Sequence, residues 1–151
     1  MAFDYEKSIW GKGTARLDWK SPTSFRLRQA LLAISGLKAG VKVLEIGCGA
    51  GQFIRAIKKI RPELDCYGCD ISQNALEAAK QANDGVIYNL SAQKEMPYAN
   101  NFFDAVLIFD VLEHVADPNA MLAEINRVMK TGAIFYCFVP CEGDFLSLWH
   151  W

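Results

Sequence analysis

The sequence predicts an α/β fold in which a parallel sheet carries helices on both faces. Apolar runs of strand length alternate with segments of helical periodicity between residues 41 and 140. Such alternation is typical of parallel strands joined by crossover helices. The first unit, residues 41–60, is a strand followed by a glycine-rich turn and a helix. Asp70, Ser91 and Asp110 fall at or near the ends of later strands, at the edge where ligands bind in such sheets.

Residues 1–40 are interpreted as an N-terminal helical cap segment. Their helix is predicted to begin at residues 21–22, where serine precedes proline, and to end at Gly36. Arg26 and Arg28 lie near the start of this helix. We expect both side chains to be solvated.

Residues 41–51, VKVLEIGCGAG, are the segment around which the fold is organised. Their apolar start predicts a buried strand that carries Glu45 near its end. Gly47, Gly49 and Gly51 then let the backbone turn sharply and let a ligand approach closely. The helix that follows points its free N–H groups into the same space. This unit therefore predicts a pocket of the nucleotide-binding type.

The segments after this unit alternate in the same way. The helix of residues 52–60 is stopped by Pro62, and a second strand is predicted at residues 64–70. Ser72 is placed to cap the next helix, and a short third strand is predicted at residues 85–90. The carboxyl ends of these strands are expected at one edge of the sheet.

The last part of the predicted sheet begins with the longest apolar strand, residues 102–110. Asp117 and Pro118 form a good N-cap and N1 pair for the next helix. We expect that helix to end at residues 131–132 and a fifth strand at residues 133–139. Right-handed crossovers and a switch point beside the first strand give a Rossmann-like sheet of order 3-2-1-4-5.

Composition and charge exclude several classes of protein. Apolar residues make up 52% of the chain and charged residues 22%, which fits a soluble globular domain and not a disordered one. The formal net charge of −1 gives no long-range attraction to nucleic acid or to anionic lipid, so neither partner is expected. No apolar stretch is long enough to cross a bilayer, and the N-terminus lacks a signal-peptide pattern. The expected location is the cytoplasm.

The cysteines are interpreted as reduced, buried thiols. They lie mostly inside apolar runs and are Cys48, Cys66, Cys69, Cys137 and Cys141. Cys66 and Cys69 form a C-x-x-C pair, but a zinc site would need a second such pair. On the predicted second strand, these two side chains would also point to opposite faces.

The spacing of the glycines separates two kinds of nucleotide site. A dinucleotide-binding fold has the pattern G-x-G-x-x-G, but the residue three after Gly49 is Gln52. The pattern here is E-x-G-x-G-x-G. It resembles the first motif of class I S-adenosylmethionine-dependent methyltransferases. The resemblance runs from about residue 41 to residue 140 and is nearest to the ubiquinone-biosynthesis-like group (type 11).

This resemblance implies a cofactor, S-adenosyl-L-methionine, and a role for several residues. Glu45 would reach the ammonium group of its methionine part. Asp70 ends the second strand and would accept hydrogen bonds from two ribose hydroxyls. Ile71 would pack on the adenine. The complete set of expected cofactor contacts is Glu45, Gly47, Cys48, Gly49, Gly51, Asp70, Ile71, Ala92, Gln93, Phe109 and Asp110.

One loop departs from the family pattern. The family often has Asp-Ala-Glu after the third strand, where this chain has Ser91, Ala92 and Gln93. A serine hydroxyl accepts a hydrogen bond from the adenine amino group more weakly than a carboxylate does. We therefore expect the backbone of Ala92 and the side chain of Gln93 near the adenine.

The run FDVLEHVADP, residues 109–118, resembles the fourth motif of the family and would place Phe109 and Asp110 beside the transferred methyl group. His114 has three possible roles. It is a general base for the acceptor, since imidazole exchanges protons near neutral pH, or a hydrogen-bonded residue of the pocket wall. The third role is as a ligand, with Asp110 and Glu113, of a divalent metal, because residues i, i+3 and i+4 share one face of a helix. The metal is the least favoured role, and none is assigned.

The resemblance predicts an enzyme that transfers methyl groups to the O, N or C atom of a small molecule. The alternatives are a cofactor-binding domain without activity of its own and an NAD-binding oxidoreductase domain. The family sheet normally continues with two more strands, for which residues 141–151 are too short. We therefore expect residues 141–151 to be a truncated tail and the chain to methylate poorly by itself. The apolar fifth strand would then be an exposed edge that a homodimer could cover.

Overall fold

A computed structural model describes residues 23–91 and 95–140 of the chain. Over these residues the fold is a parallel sheet of five strands in the order β3-β2-β1-β4-β5, with helices on both faces. The strands are β1 Lys42–Ile46, β2 Asp65–Asp70, β3 Ile87–Leu90, β4 Phe103–Phe109 and β5 Met129–Phe138. The helices are α1 Thr23–Ala33, α2 Gln52–Ile60, α3 Gln73–Lys80 and α4 Pro118–Val128, with a single 3₁₀ turn at Leu112–His114. The predicted fold class and strand order are confirmed.

The sheet separates two apolar cores because alternate side chains of each strand point to opposite faces. Helices α1, α2 and α3 pack on one face, where Ile34, Ile57 and Leu76 are fully buried. Helix α4 covers the other face with Met121 and Val128. The carboxyl ends of the five strands meet at one edge of the sheet because all the strands are parallel.

Local sequence signals determine where two of the helices begin. The Ser72 hydroxyl accepts a hydrogen bond from the N–H of Ala75 at 3.1 Å, as expected for the N-cap of α3. Asp117 caps α4 in the same way through the N–H of Ala120 at 3.0 Å, with Pro118 at the first helical position. Both predicted caps are therefore confirmed.

The predicted end of the last helix is wrong. Helix α4 ends at Val128, and Met129 already has an extended backbone with ψ 141°. Met129 pairs with Phe103, and the register then shifts so that Ala105 pairs with Ile134. Gly132, at φ 78°, lies in the irregular stretch and not at the end of a helix. Pairing with β4 outweighs the weak helix-ending signal of Thr131 and Gly132, so β5 begins four residues earlier than predicted.

The cysteines follow the expectation in part. Cys48, Cys66 and Cys69 are buried free thiols. Cys66 lies in the core under α2 and α3 and Cys69 in the opposite core, so the C-x-x-C pair is divided by the sheet as expected. Cys137 is exposed on β5, an edge strand of the described sheet, so the expectation of a buried thiol is wrong there. Cys141 lies outside the described residues.

Two other expectations fall partly or wholly outside the described residues. The N-terminal part of the cap segment and the tail of residues 141–151 are not described. The homodimer through β5 stays a prediction, although β5 is one edge of the described sheet. Within residues 23–91 and 95–140, no helix has the length and apolar character needed to cross a membrane.

Candidate functional site

A cavity of about 260 Å³ lies at the carboxyl ends of β1, β2 and β4. This is the edge where parallel α/β sheets bind ligands. Its lining comes from those strand ends, the glycine turn, the first turn of α2, the 3₁₀ turn and α4. The lining residues are Glu45, Ile46, Gly47, Cys48, Gly49, Gln52, Phe53, Cys69, Asp70, Ile71, Ser91, Met96, Phe109, Asp110, Val111, His114, Val115 and Met121.

The glycine turn is held against the end of β2. The N–H groups of Gly47 and Cys48 both donate to the carbonyl of Cys69, at 2.8 and 3.0 Å. Gly47 has φ 70°, and a Cβ there would overlap the side chain of Val111. Glycine is therefore required at this position both by the backbone conformation and by the approach of the 3₁₀ turn.

The structure requires glycine at position 51 for a reason other than the predicted approach of a ligand. It is not among the residues that line the cavity. It is the N-cap of α2 with φ 77°, and a Cβ would lie 2.8 Å from two ring carbons of Tyr88. The Tyr88 hydroxyl donates to Asp84 at 3.1 Å, and Arg55 donates to the same carboxylate at 2.6 Å. This network holds the ring in place, so a larger residue at 51 cannot push it aside without cost.

Replacing Gly51 by Ala is expected to lower the free energy of unfolding by about 2–4 kcal/mol, which combines left-handed backbone strain with overpacking. Gly40→Ala is the matched control, because Gly40 has φ 74° but nothing within 4 Å of an added Cβ. The control should be destabilised only by the backbone strain, so its free energy of unfolding should fall by about 1 kcal/mol. Urea unfolding measures both values. Equal losses in the two variants would show that Tyr88 does not restrict residue 51.

Asp70 connects the glycine turn to the start of α3. Its Oδ2 accepts the N–H of Gly49 at 2.7 Å, and its Oδ1 accepts the N–H of Ser72 at 2.9 Å. A carboxylate has about four acceptor positions, so it can accept several hydrogen bonds at once. Asp70 lines the cavity beside Ile71, whose side chain is exposed. The described geometry thus brings both predicted residues to the cavity.

Glu45 is a fully buried carboxyl group that faces the cavity from β1. Its Oε2 accepts the N–H of Ile54 in the first turn of α2 at 2.9 Å. Burial raises the pKa of Glu45 to about 8, the Ile54 hydrogen bond acts against this, and the charge of Asp70 adds to it. A cation placed in the cavity would favour the ionised carboxylate.

Asp110 follows β4 in a left-handed backbone conformation, with φ 51°. Its Oδ2 forms an ion pair with Arg26 of α1, while Oδ1 is buried without a hydrogen-bond partner among the described residues. Burial raises the pKa of Asp110, the Arg26 guanidinium opposes this, and Glu113 adds to it. The expectation that Arg26 is solvated is wrong, because its guanidinium pairs with Asp110 and lies 4.5 Å from the ring centroid of Phe138.

The possible metal ligands are not brought together. Asp110, Glu113 and His114 do not form a group that could hold a metal ion, and the rest of the described chain contains no such group of three. Only residues 112–114 form a helical turn, and that turn is 3₁₀. Asp110 lies outside it, so the i, i+3, i+4 relation of an α-helix does not apply. His114 lines the cavity, with its side chain half exposed and its Nε2 4.0 Å from Glu113 Oε1.

Most of the predicted cofactor contacts lie around the cavity. Among the described residues, every member of that set except Gly51 is part of the lining. Ala92 and Gln93 lie outside the described residues, so the expectation about the adenine stays a prediction. Ser91, where the family pattern has an acid, does line the cavity.

The sequence reasoning missed part of the apolar wall and one cation. Met96, Met121 and Val115 line the cavity, but in the sequence they resemble ordinary core residues. Phe53 stacks on Phe109 with ring centroids 4.7 Å apart, and its position one residue after the start of α2 was an available signal. Arg26 gave no signal, since 84 residues separate it from Asp110.

A family model described as a methyltransferase domain matches residues 44–137. The chain is 32% identical over 114 residues to the ubiquinone/menaquinone biosynthesis C-methyltransferase UbiE of Desulfotalea psychrophila, covering 74% of this chain and 46% of that protein. It is 32% identical to a demethylmenaquinone methyltransferase of Staphylococcus aureus, covering 73% of this chain and 47% of that protein. The chain thus spans about half the length of the curated relatives it matches.

A solved structure shows the same fold. It is a SAM-dependent methyltransferase from Aquifex aeolicus, which superimposes with a TM-score of 0.61 at 24% identity. The superposition covers 73% of this chain and 63% of the Aquifex chain.

Proposed function

The chain belongs to the methyltransferase-domain family, and from this we propose that it transfers a methyl group from S-adenosylmethionine to a small-molecule acceptor. The observation that carries the proposal is the cavity, which has carboxyl groups on three neighbouring strand ends, Glu45, Asp70 and Asp110. The acceptor atom, oxygen, nitrogen or carbon, is open. The names of the two curated relatives favour a quinone-related acceptor, and the first of them favours carbon.

The described residues fit the cofactor at two places. Asp70 is a strand-end carboxylate that lines the cavity and can accept several hydrogen bonds at once, which suits the paired hydroxyls of a ribose. Glu45 is a buried carboxyl group without a cationic partner in any described hydrogen bond or ion pair, which suits an ammonium group. We therefore place the ribose at Asp70 and the ammonium at Glu45.

When bound, the cofactor supplies an electrophilic methyl group on a sulfonium, which is already a good leaving group. The protein then needs mainly to orient the acceptor and to exclude water. Phe53 and Phe109 form a stacked pair at the cavity, and Val111 and Met121 extend the apolar wall. These side chains exclude water, while Asp110 and His114 supply polar groups that can orient the acceptor or hold its proton.

Two other functions stay open and belong to different classes. The chain could be a cofactor-binding domain that lacks activity of its own, or an NAD-binding oxidoreductase domain. The glycine spacing and the family match disfavour the oxidoreductase.

Calorimetric titration with S-adenosylmethionine and with NAD separates the oxidoreductase from the other two readings. A screen of quinols, phenols and amines that measures S-adenosylhomocysteine release then separates an active enzyme from a binding domain. Binding of NAD but not of S-adenosylmethionine would overturn the proposal.

His114 is expected to act on the acceptor and not on the cofactor. His114→Ala should lower kcat by about 100-fold if the imidazole is the general base, with the Kd for S-adenosylhomocysteine unchanged. Glu77→Gln is the control, since Glu77 is exposed in α3 and does not line the cavity. Steady-state kinetics with the best acceptor of the screen measures the effect. Normal turnover in His114→Ala would leave His114 as a wall residue.

A further inference from the structure

The two carboxylate oxygens of Asp110 have unequal surroundings. Oδ2 is paired with the Arg26 guanidinium, whereas Oδ1 is buried and has no hydrogen-bond partner among the described residues. A buried oxygen without a donor is costly and is uncommon in folded proteins. Asp110 lines the cavity, so a small rotation of its carboxylate would turn Oδ1 toward a ligand there that supplies the missing donor.

The position of this carboxylate is determined by three elements. Asp110 follows the end of β4, and its N–H donates to the Phe138 carbonyl of β5 at 3.0 Å. Arg26 reaches it from α1 and lies over the Phe138 ring. The backbone of Asp110 is therefore held by β5 and its side chain by Arg26, with Oδ2 paired with the cation and Oδ1 left for an additional donor.

The neighbourhood of Asp110 is apolar on the cavity side. Phe109, Val111 and Val115 line the cavity on the same segment, Phe53 stacks on Phe109, and His114 is the one polar lining residue among residues 109–115 besides Asp110. Such a wall favours an uncharged body over an anion, and the carboxylate itself repels anions. An apolar molecule with one O–H or N–H group satisfies both the wall and the unpaired oxygen.

The cofactor is not needed to fill this position. Its ribose hydroxyls are assigned to Asp70 and its ammonium to Glu45 in the proposed function, on which this inference rests. Asp110, which the sequence resemblance counts among the cofactor contacts, is then the remaining carboxylate of the three at the cavity. We infer that Asp110 Oδ1 binds the O–H or N–H donor of an apolar acceptor, and that Arg26 is the positioning residue that holds this carboxylate for it.

The experiment uses two ring compounds that differ in one donor, 2-naphthol and 2-methoxynaphthalene. Their Kd values are measured by NMR titration in the presence of saturating S-adenosylhomocysteine. The wild-type chain should prefer 2-naphthol by about tenfold or more, the effect of one hydrogen bond to a charged group. Asp110→Asn should reduce this preference several-fold and leave the Kd for S-adenosylhomocysteine within about threefold.

Arg26 is tested by a pair of variants. Arg26→Gln should reduce the preference for 2-naphthol, and Arg26→Lys should restore a large part of it, because lysine keeps the positive charge beside Oδ2. A purely structural role would make Arg26→Gln weaken the binding of both naphthalenes equally. These variants also keep the inference testable if Asp110→Asn does not fold.

The outcomes of these experiments distinguish failure of this inference from failure of the proposed function. Equal affinity of the wild type for the two naphthalenes, or binding of neither, would overturn the inference while leaving the proposed function intact. Loss of S-adenosylhomocysteine binding in Asp110→Asn, with a normal unfolding curve, would instead assign Oδ1 to the cofactor and also overturn it. A wild-type chain that does not bind S-adenosylhomocysteine at all would refute the proposed function.

Discussion

Asp70→Ala is expected to weaken S-adenosylhomocysteine binding by about 10- to 100-fold, which corresponds to about 1.5–3 kcal/mol for hydrogen bonds to a charged group. The carboxylate contributes in two ways. It is the proposed acceptor for the ribose hydroxyls, and it holds the N–H groups of Gly49 and Ser72 at the edge of the cavity. Calorimetric titration of both proteins measures the change in Kd.

The control for this prediction is Asp65→Ala. Asp65 is the first residue of β2 and is exposed, whereas Asp70 is the last residue of the same strand and lines the cavity. The control should bind S-adenosylhomocysteine as the wild type does. Unchanged affinity in Asp70→Ala would remove Asp70 from the site.

A ligand with a 2′-deoxyribose separates the ribose contact from the support of the glycine turn. If Asp70 binds the hydroxyls, the wild type should prefer the ribose form and Asp70→Ala should lose that preference. If Asp70 only supports the turn, Asp70→Ala should weaken the binding of both ligands to the same extent. This comparison isolates the direct contact because the change in the turn is common to both ligands.

Glu45→Gln is expected to flatten the dependence of stability on pH. The folded-state pKa of Glu45 is about 8, above the ordinary value of 4.5, so the folded chain binds more protons than the unfolded chain between these values. The free energy of unfolding should therefore fall as pH rises from about 4.5 to about 8, by on the order of 4 kcal/mol from this group. Urea unfolding of the wild type and the variant across this range measures the difference.

Glu77→Gln is the matched control, because Glu77 is an exposed residue of α3. The pH dependence of its stability should remain that of the wild type. A Glu45→Gln variant with the slope of the wild type would show that Glu45 ionises in the folded chain as readily as in the unfolded one.

The same carboxyl group connects cofactor binding to pH. An ammonium group at Glu45 favours the ionised form, so binding below pH 8 should release a proton from this residue. The affinity for S-adenosylhomocysteine should then rise up to about tenfold per pH unit in the wild type. Calorimetry in buffers of different ionisation enthalpy measures the number of protons released on binding. Binding to Glu45→Gln should release no proton from this position. Absence of proton release at pH 7 in the wild type would contradict the placement of the ammonium.

The features that could be predicted from the sequence are those that depend on neighbouring residues. The strand, glycine turn and helix of residues 41–60 follow from apolar periodicity and from backbone freedom within a short segment. The caps at Ser72 and Asp117 need only a hydrogen bond to a residue three positions later. The strand order follows from right-handed crossovers together with the usual switch point beside the first strand.

Tertiary structure decided the features that depend on partners far away in the chain. Helix α4 ends at Val128 because Met129 pairs with Phe103 of β4, and no local signal reports that pairing. The pKa of Glu45 is raised because the folded chain removes water from its carboxyl group. Arg26 meets Asp110, 84 residues away in the chain, only because α1 packs against β5 beside the end of β4. A sequence pattern reports local conformation, whereas burial and long-range pairing exist only once the sheet has brought the segments together.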